Sequence, residues 1–100
     1  MPKISLSHRT SLTALEIKGK AEKMISEALE KFGDKISELQ QSWSGNTLKF
    51  SFRAMGFFVS GEATAKDNLI MLQGKIPYAA VLFKGKIEEI IRQKARELFP

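Results

Sequence analysis

Between Leu39 and Ile76 the chain runs through four short strand-like stretches separated by turn residues, the first two in period-two alternation, and this pattern narrows the possible folds more than any other feature. Leu39, Gln41 and Trp43 share one side of the first stretch, and Ser44-Gly45-Asn46 turns the chain. Leu48, Phe50, Phe52 and Ala54 then alternate with Lys49, Ser51 and Arg53. Met55-Gly56 leads into Phe57 to Ala65, and Lys66-Asp67-Asn68 turns into Leu69 to Ile76. Two consecutive hairpins at this spacing predict a four-stranded antiparallel meander.

Upstream, Ile4, Leu6 and His8 alternate with Lys3, Ser5, Ser7 and Arg9, the period of a further half-buried strand. Thr13-Ala14-Leu15-Glu16 fits a capping box, and Leu12 and Ile17 stand where a hydrophobic staple would clamp it. Ile17, Ala21, Met24, Ile25, Ala28 and Phe32 recur at helical spacing, and Gly33 is expected to close that helix in the left-handed conformation. Pro77 ends the strands. Tyr78 to Phe99 predicts a second helix, with Leu82 or Phe83, Ile87, Ile90, Ile91, Ala95 and Leu98 along one face. Gly85 costs that helix about 1 kcal/mol relative to alanine, so it starts properly after Lys84 or bends there. The expected domain spans residues 1–100 and is α+β, in the order β-α-β-β-β-β-α, with one antiparallel sheet and two helices packed on one face. This arrangement is like the helix-grip architecture, in which a curved sheet wraps a C-terminal helix.

Apolar residues make up 43% of the 100 residues and charged residues 27%, which is ordinary globular composition. The absence of cysteine excludes a disulfide framework and a thiolate nucleophile, and fits a reducing compartment. Met1 to Ser5 lacks the apolar run of a signal peptide, and the longest apolar stretch, Tyr78 to Phe83, is far too short to be a transmembrane segment. The expected location is cytoplasmic. The net charge of +5 is spread from Lys3 to Arg96 without a basic block, a pattern of solubility more than of a polyanion site.

No catalytic constellation emerges, so no catalytic residue, metal site or cofactor is assigned. His8 is the single histidine, which rules out a multi-histidine metal site. Glu88 and Glu89 are adjacent on a helix and diverge by about 100° around its axis. Trp43, Phe50, Phe52, Phe57 and Phe58 lie among Lys49 and Arg53, as in a sheet that stacks nucleobases, but Phe50 and Phe52 share the face the helices need and are expected to be core. Nucleic-acid binding is therefore the disfavoured class.

Two features point instead to apolar contact. In the last two strands Phe57 opposes Phe58, and Leu69 with Met71 opposes Ile70 with Leu72, so both faces carry apolar residues. A homodimer partner, a ligand or a hydrophobic surface would cover the second face. Tyr78-Ala79-Ala80-Val81-Leu82-Phe83 is apolar on every side of any helical turn, beside Lys84 and Lys86. Phe57, Phe58, Met71, Tyr78, Val81, Leu82, Phe83, Lys84 and Lys86 make up the candidate contact surface.

The chain resembles the polyhydroxyalkanoic acid system, or polyhydroxyalkanoate granule region, family. The resemblance lies in the first strand running into Ser11-Leu12 and the helix, in Trp43-Ser44-Gly45-Asn46-Thr47-Leu48-Lys49-Phe50, and in Phe83-Lys84-Gly85-Lys86-Ile87-Glu88. It departs from the family at Thr10, where the pattern often has a histidine. The resemblance implies a bacterial cytoplasmic protein linked to storage-polyester metabolism, and it carries over no catalytic residue. The leading expectation is a non-enzymatic accessory or binding protein that contacts a polymer granule or protein partner. The alternatives are a small carrier holding an acyl chain between the sheet and the C-terminal helix, a weak enzyme built on that cavity, and a nucleic-acid-binding module. A filled core between Phe50, Phe52 and Ile90 favours the first reading, and an open pocket there favours the carrier.

Overall fold

The computed structural model describes residues 2–100. The elements follow in the order β1 (Lys3–Arg9), α1 (Ala14–Phe32), a 3-10 turn (Gly33–Lys35), β2 (Ile36–Ser44), β3 (Thr47–Ala54), β4 (Phe57–Lys66), β5 (Leu69–Lys75), a second 3-10 turn (Tyr78–Phe83) and α2 (Lys84–Leu98). The predicted α+β order is observed. The meander supplies four neighbouring strands, and β1 pairs antiparallel with β5 to give the sheet order β1-β5-β4-β3-β2.

That order dictates the path of α1. Because β1 and β2 form opposite edges, the connection between them has to cross the sheet, and 19 helical residues at about 1.5 Å each reach about 28 Å, enough for five strands about 4.8 Å apart. The helix starts as predicted. Thr13 Oγ1 accepts from the Glu16 amide at 3.2 Å, and Glu16 Oε1 accepts from the Thr13 amide at 3.1 Å. Asp67, in the β4–β5 turn, accepts from the Ala14 amide at 2.9 Å, placing a carboxylate at the positive end of the helix. Leu12 and Ile17 pack in one cluster, as the staple requires.

Both helices cover the same sheet face, in two separate clusters. Ile87 and Ile91 of α2 pack with Ile4, Leu6 and Ile76 over the β1 edge. Ile17 of α1 packs with Ala65 of β4 and with Phe99, the residue after α2. The end of the chain is then tied back to β1 and its exit. His8 donates from Nε2 to the Phe99 carbonyl at 2.7 Å, and Thr10 Oγ1 donates to the Pro100 carbonyl at 2.7 Å. These bonds give the lone histidine a structural role.

Two local expectations are corrected. Gly33 is right-handed, at φ −57° and ψ −29°, because the chain tightens into a 3-10 turn before β2 instead of reversing in a left-handed cap. The second helix begins at Lys84, after the 3-10 turn, and its inward side is the half-buried Ile87, Ile91 and Ala95; Ile90 is 47% exposed and Leu98 is also exposed. The narrower stripe fits a helix lying on an edge strand instead of being wrapped by the sheet.

One glycine is fixed by close approach. Gly61 lies between Phe50 and Gly74 in adjacent strands, and a Cβ there would fall 2.9 Å from Phe50 Cζ and closer still to the Gln73 backbone carbonyl. Gly61→Ala should therefore lower stability by about 1–3 kcal/mol through overpacking. Gly19→Ala, in the interior of α1 with open space around it, should raise stability by about 0.5–1 kcal/mol. Urea denaturation of the two variants checks the pair, and equal shifts would contradict the assignment.

Candidate binding groove

Small side chains leave a space between α1 and the sheet. The inward positions of central strand β4 are Gly61, Ala63 and Ala65, and the facing side of α1 carries Ala21 and Ala28. Phe50 and Phe52 stack on each other in β3, with ring centroids 6.3 Å apart, and do not fill the gap. A groove of about 410 Å³ results, walled by Ile17, Ala21, Met24, Ile25, Ala28 and Leu29 of α1. Its floor and far side are Leu39, Trp43, Leu48, Phe50, Phe52, Ala63, Ile70 and Leu72, with Phe99 at one end.

No charged residue lines this space. Thr64 points its hydroxyl to the outer face, where it pairs with Thr47 at 3.1 Å, so Gln41 and the indole N–H of Trp43 are the polar side-chain groups that can meet a ligand. Lys18 sits near the Trp43 end, its Nζ 5.0 Å from the ring centroid and 3.3 Å from the Gly45 carbonyl it donates to. Among the described residues, the groove's lining holds no ionisable side chain. It is suited to holding an apolar chain of low polarity.

The ties of α1 to the rest of the molecule fall in its first half: Ala14 to Asp67, Lys18 to Gly45, Lys20 Nζ to the Leu98 carbonyl at 2.8 Å, and the buried Ile17. Its second half presents Ile25, Ala28 and Leu29 to the groove. The site was thus partly hidden in sequence. The pattern places its helix and strand faces correctly but implies a packed core between them. Phe50 and Phe52 are on the predicted face yet only half-buried, and Ile90 stands outside the groove, which is flanked by α1 and not by the C-terminal helix. The signal available beforehand was the small-residue spacing Gly61, Ala63, Ala65 opposite Ala21 and Ala28.

The predicted contact residues divide. Tyr78, Val81, Leu82 and Phe83 are exposed, Leu82 at 89%, while Ala80 packs inward against the Ile4 cluster; Lys86 is exposed and Lys84 half-buried. Phe57 faces the helix side at the far end of β4 and is 43% exposed. Phe58 and Met71 are on the outer face but do not meet. Phe58 pairs with Arg53 at one end, whereas Met71 pairs with Thr64 and Ser7 toward the other, and Ser60, Glu62 and Gln73 lie between. Lys49 bridges Glu62 across that face at 3.8 Å. The apolar second face expected from the two-sided strands is therefore interrupted, because most of its positions are serine, threonine, glutamine or lysine.

The family model described as "Putative polyhydroxyalkanoic acid system protein" (PHA_gran_rgn) matches residues 4–99. The chain belongs to that family. The match takes in β1 from its second residue, the other four strands, both helices and all the residues of the groove. No curated protein and no solved structure gives a significant match. Among the described residues, no helix of this family member is long and apolar enough to cross a membrane.

The open groove makes a thermodynamic distinction between its walls and the closed core. Ile17→Ala should cost about 2–5 kcal/mol, as for a buried aliphatic residue. Phe52→Ala, which removes a ring already facing open space, should cost about 1–2 kcal/mol, below the usual penalty for a buried phenylalanine. Chemical denaturation midpoints measured side by side test the ranking.

Proposed function

We propose that this protein is a non-enzymatic accessory protein of the polyhydroxyalkanoate system that binds an aliphatic chain, either an acyl chain or a segment of polyester, in the groove between α1 and the sheet. The apolar groove is the observation that carries the reading. Its volume of about 410 Å³ is in the range of small-ligand sites, and its lining is aliphatic and aromatic with two polar side-chain groups available for an occasional carbonyl. Membership of the family supplies the polyester context. The carrier alternative thus gains the open pocket it called for, at a different helix. His8, committed to the Phe99 carbonyl, fits a binding role better than a catalytic one.

A fluorescent fatty-acid analogue should bind with one-to-one stoichiometry and raise the melting temperature, since a ligand that binds only the folded state stabilises it by mass action. Ala28→Phe places a ring in the groove from the α1 side and should weaken that binding at least ten-fold, with secondary structure by circular dichroism unchanged. Unaltered affinity in this variant would remove the groove from the function.

A second reading, contact with an apolar surface through the Tyr78–Phe83 turn, is supported by the outward direction of Leu82. Leu82→Asp should then change stability by no more than about 0.5 kcal/mol, as for other surface positions. The same variant should lose partitioning onto polyester particles. Retained partitioning by a folded Leu82→Asp variant eliminates the turn as the contact.

A further inference from the structure

Strand direction gathers the exposed apolar residues at one end of the molecule. α1 finishes there with Phe32, β2 begins there, β3 and β4 turn there at Met55-Gly56, and β5 ends there at Lys75 before the Tyr78–Phe83 turn. The Gly45-Asn46 and Asp67-Asn68 turns and the Thr10–Pro100 contact occupy the opposite end. Of the twelve large apolar side chains exposed among the described residues, eight belong to the first end: Phe32, the hairpin residues Met55, Phe57 and Phe58, and four in the Tyr78–Phe83 turn.

Cations accompany these groups closely. Lys31 Nζ lies 5.6 Å from the Phe32 ring centroid, and the Arg53 guanidinium, ion-paired with Glu38 at 2.7 Å, lies 5.8 Å from that of Phe58. Around the 3-10 turn, the chain from residue 68 to residue 87 carries Lys75, Lys84 and Lys86 and no acid. Met55 is 86% exposed at φ 54°, the left-handed conformation that its two-residue hairpin turn requires and that favours glycine or asparagine, so the turn does not account for a large apolar side chain there.

We propose that this end is a single interfacial face that seats on a lipid surface bearing anionic headgroups. Aromatic and aliphatic tips enter the headgroup boundary while the lysine heads of Lys31, Lys75, Lys84 and Lys86 remain among the phosphates, the division of labour of interfacial anchors. The cations decide the occupant. An uncharged polyester surface offers them no counter-charge, and a second copy docked end to end would bring like charges together. One of the three parts of this face, the Tyr78–Phe83 turn, rests on the surface-contact reading above; the hairpin and Phe32 do not.

The test is flotation of the full chain with vesicles of phosphatidylcholine alone and of phosphatidylcholine mixed with phosphatidylglycerol. Binding is expected to be about ten-fold or more tighter on the anionic vesicles and to weaken as salt rises. Met55→Asn suits the left-handed backbone and should keep the fold while lowering vesicle binding several-fold, as should Leu82→Asp. If Leu82→Asp lowers binding and Met55→Asn does not, the turn stands alone and the shared face is overturned. Equal binding to both vesicle types, uptake by bare polyester particles only, or self-association in place of vesicle binding would each overturn the lipid assignment.

Discussion

Ile17 is the point on which the arrangement of layers depends. It touches Ala65 in the middle of the sheet and Phe99 beyond the second helix, so one side chain joins α1, β4 and the chain terminus. Around it are the bonds that close this end: Lys20 to Leu98, Asp67 to the start of α1, and His8 and Thr10 to Phe99 and Pro100. The helix crosses the sheet from this anchor toward β2 and finds little to fill the space beneath it. A closed end and an open groove thus follow from the same placement of large and small residues.

The division between the two ends gives the fold its functional character. In most domains of this size an amphipathic helix is held by the apolar face it buries. Here part of that face is left to line a cavity, and the cost is offset at the anchored end by hydrogen bonds to backbone carbonyls that hold the element ends together. Phe50 and Phe52 take an intermediate position. Each supports the other by stacking, so the floor is ordered without being covered.

The sequence was legible wherever a residue's role depends on its near neighbours. The capping box at Thr13 and Glu16, the strand of β1 and the meander are all local, and each appears where the pattern placed it. The long-range facts were not legible. Nothing near Ile4 or Gly74 in sequence announces that they are cross-strand partners, and without that pairing the crossing path of α1 is invisible. The groove was hidden for a related reason: a periodic apolar face shows which way a helix points, not how far away its neighbour stands. The error over Gly33 was of another kind, since a glycine after a helix satisfies either a left-handed cap or a tighter right-handed turn.

The pairing of β1 with β5 also sets the order in which the chain can assemble. Lys3 lies opposite Lys75, so the first strand of this sheet must wait for its fifth before it has a partner. The hairpins of the meander close short loops, whereas this pairing closes one of some seventy residues and bears a larger entropic cost. On the ribosome, the meander emerges with β5 as an open edge, and its final cover, α2 with Phe99, is synthesised after every strand is complete. The edge that β1 will occupy is therefore an open pairing site until β1 docks, and capture of that strand protects this side of the nascent sheet from pairing with another chain.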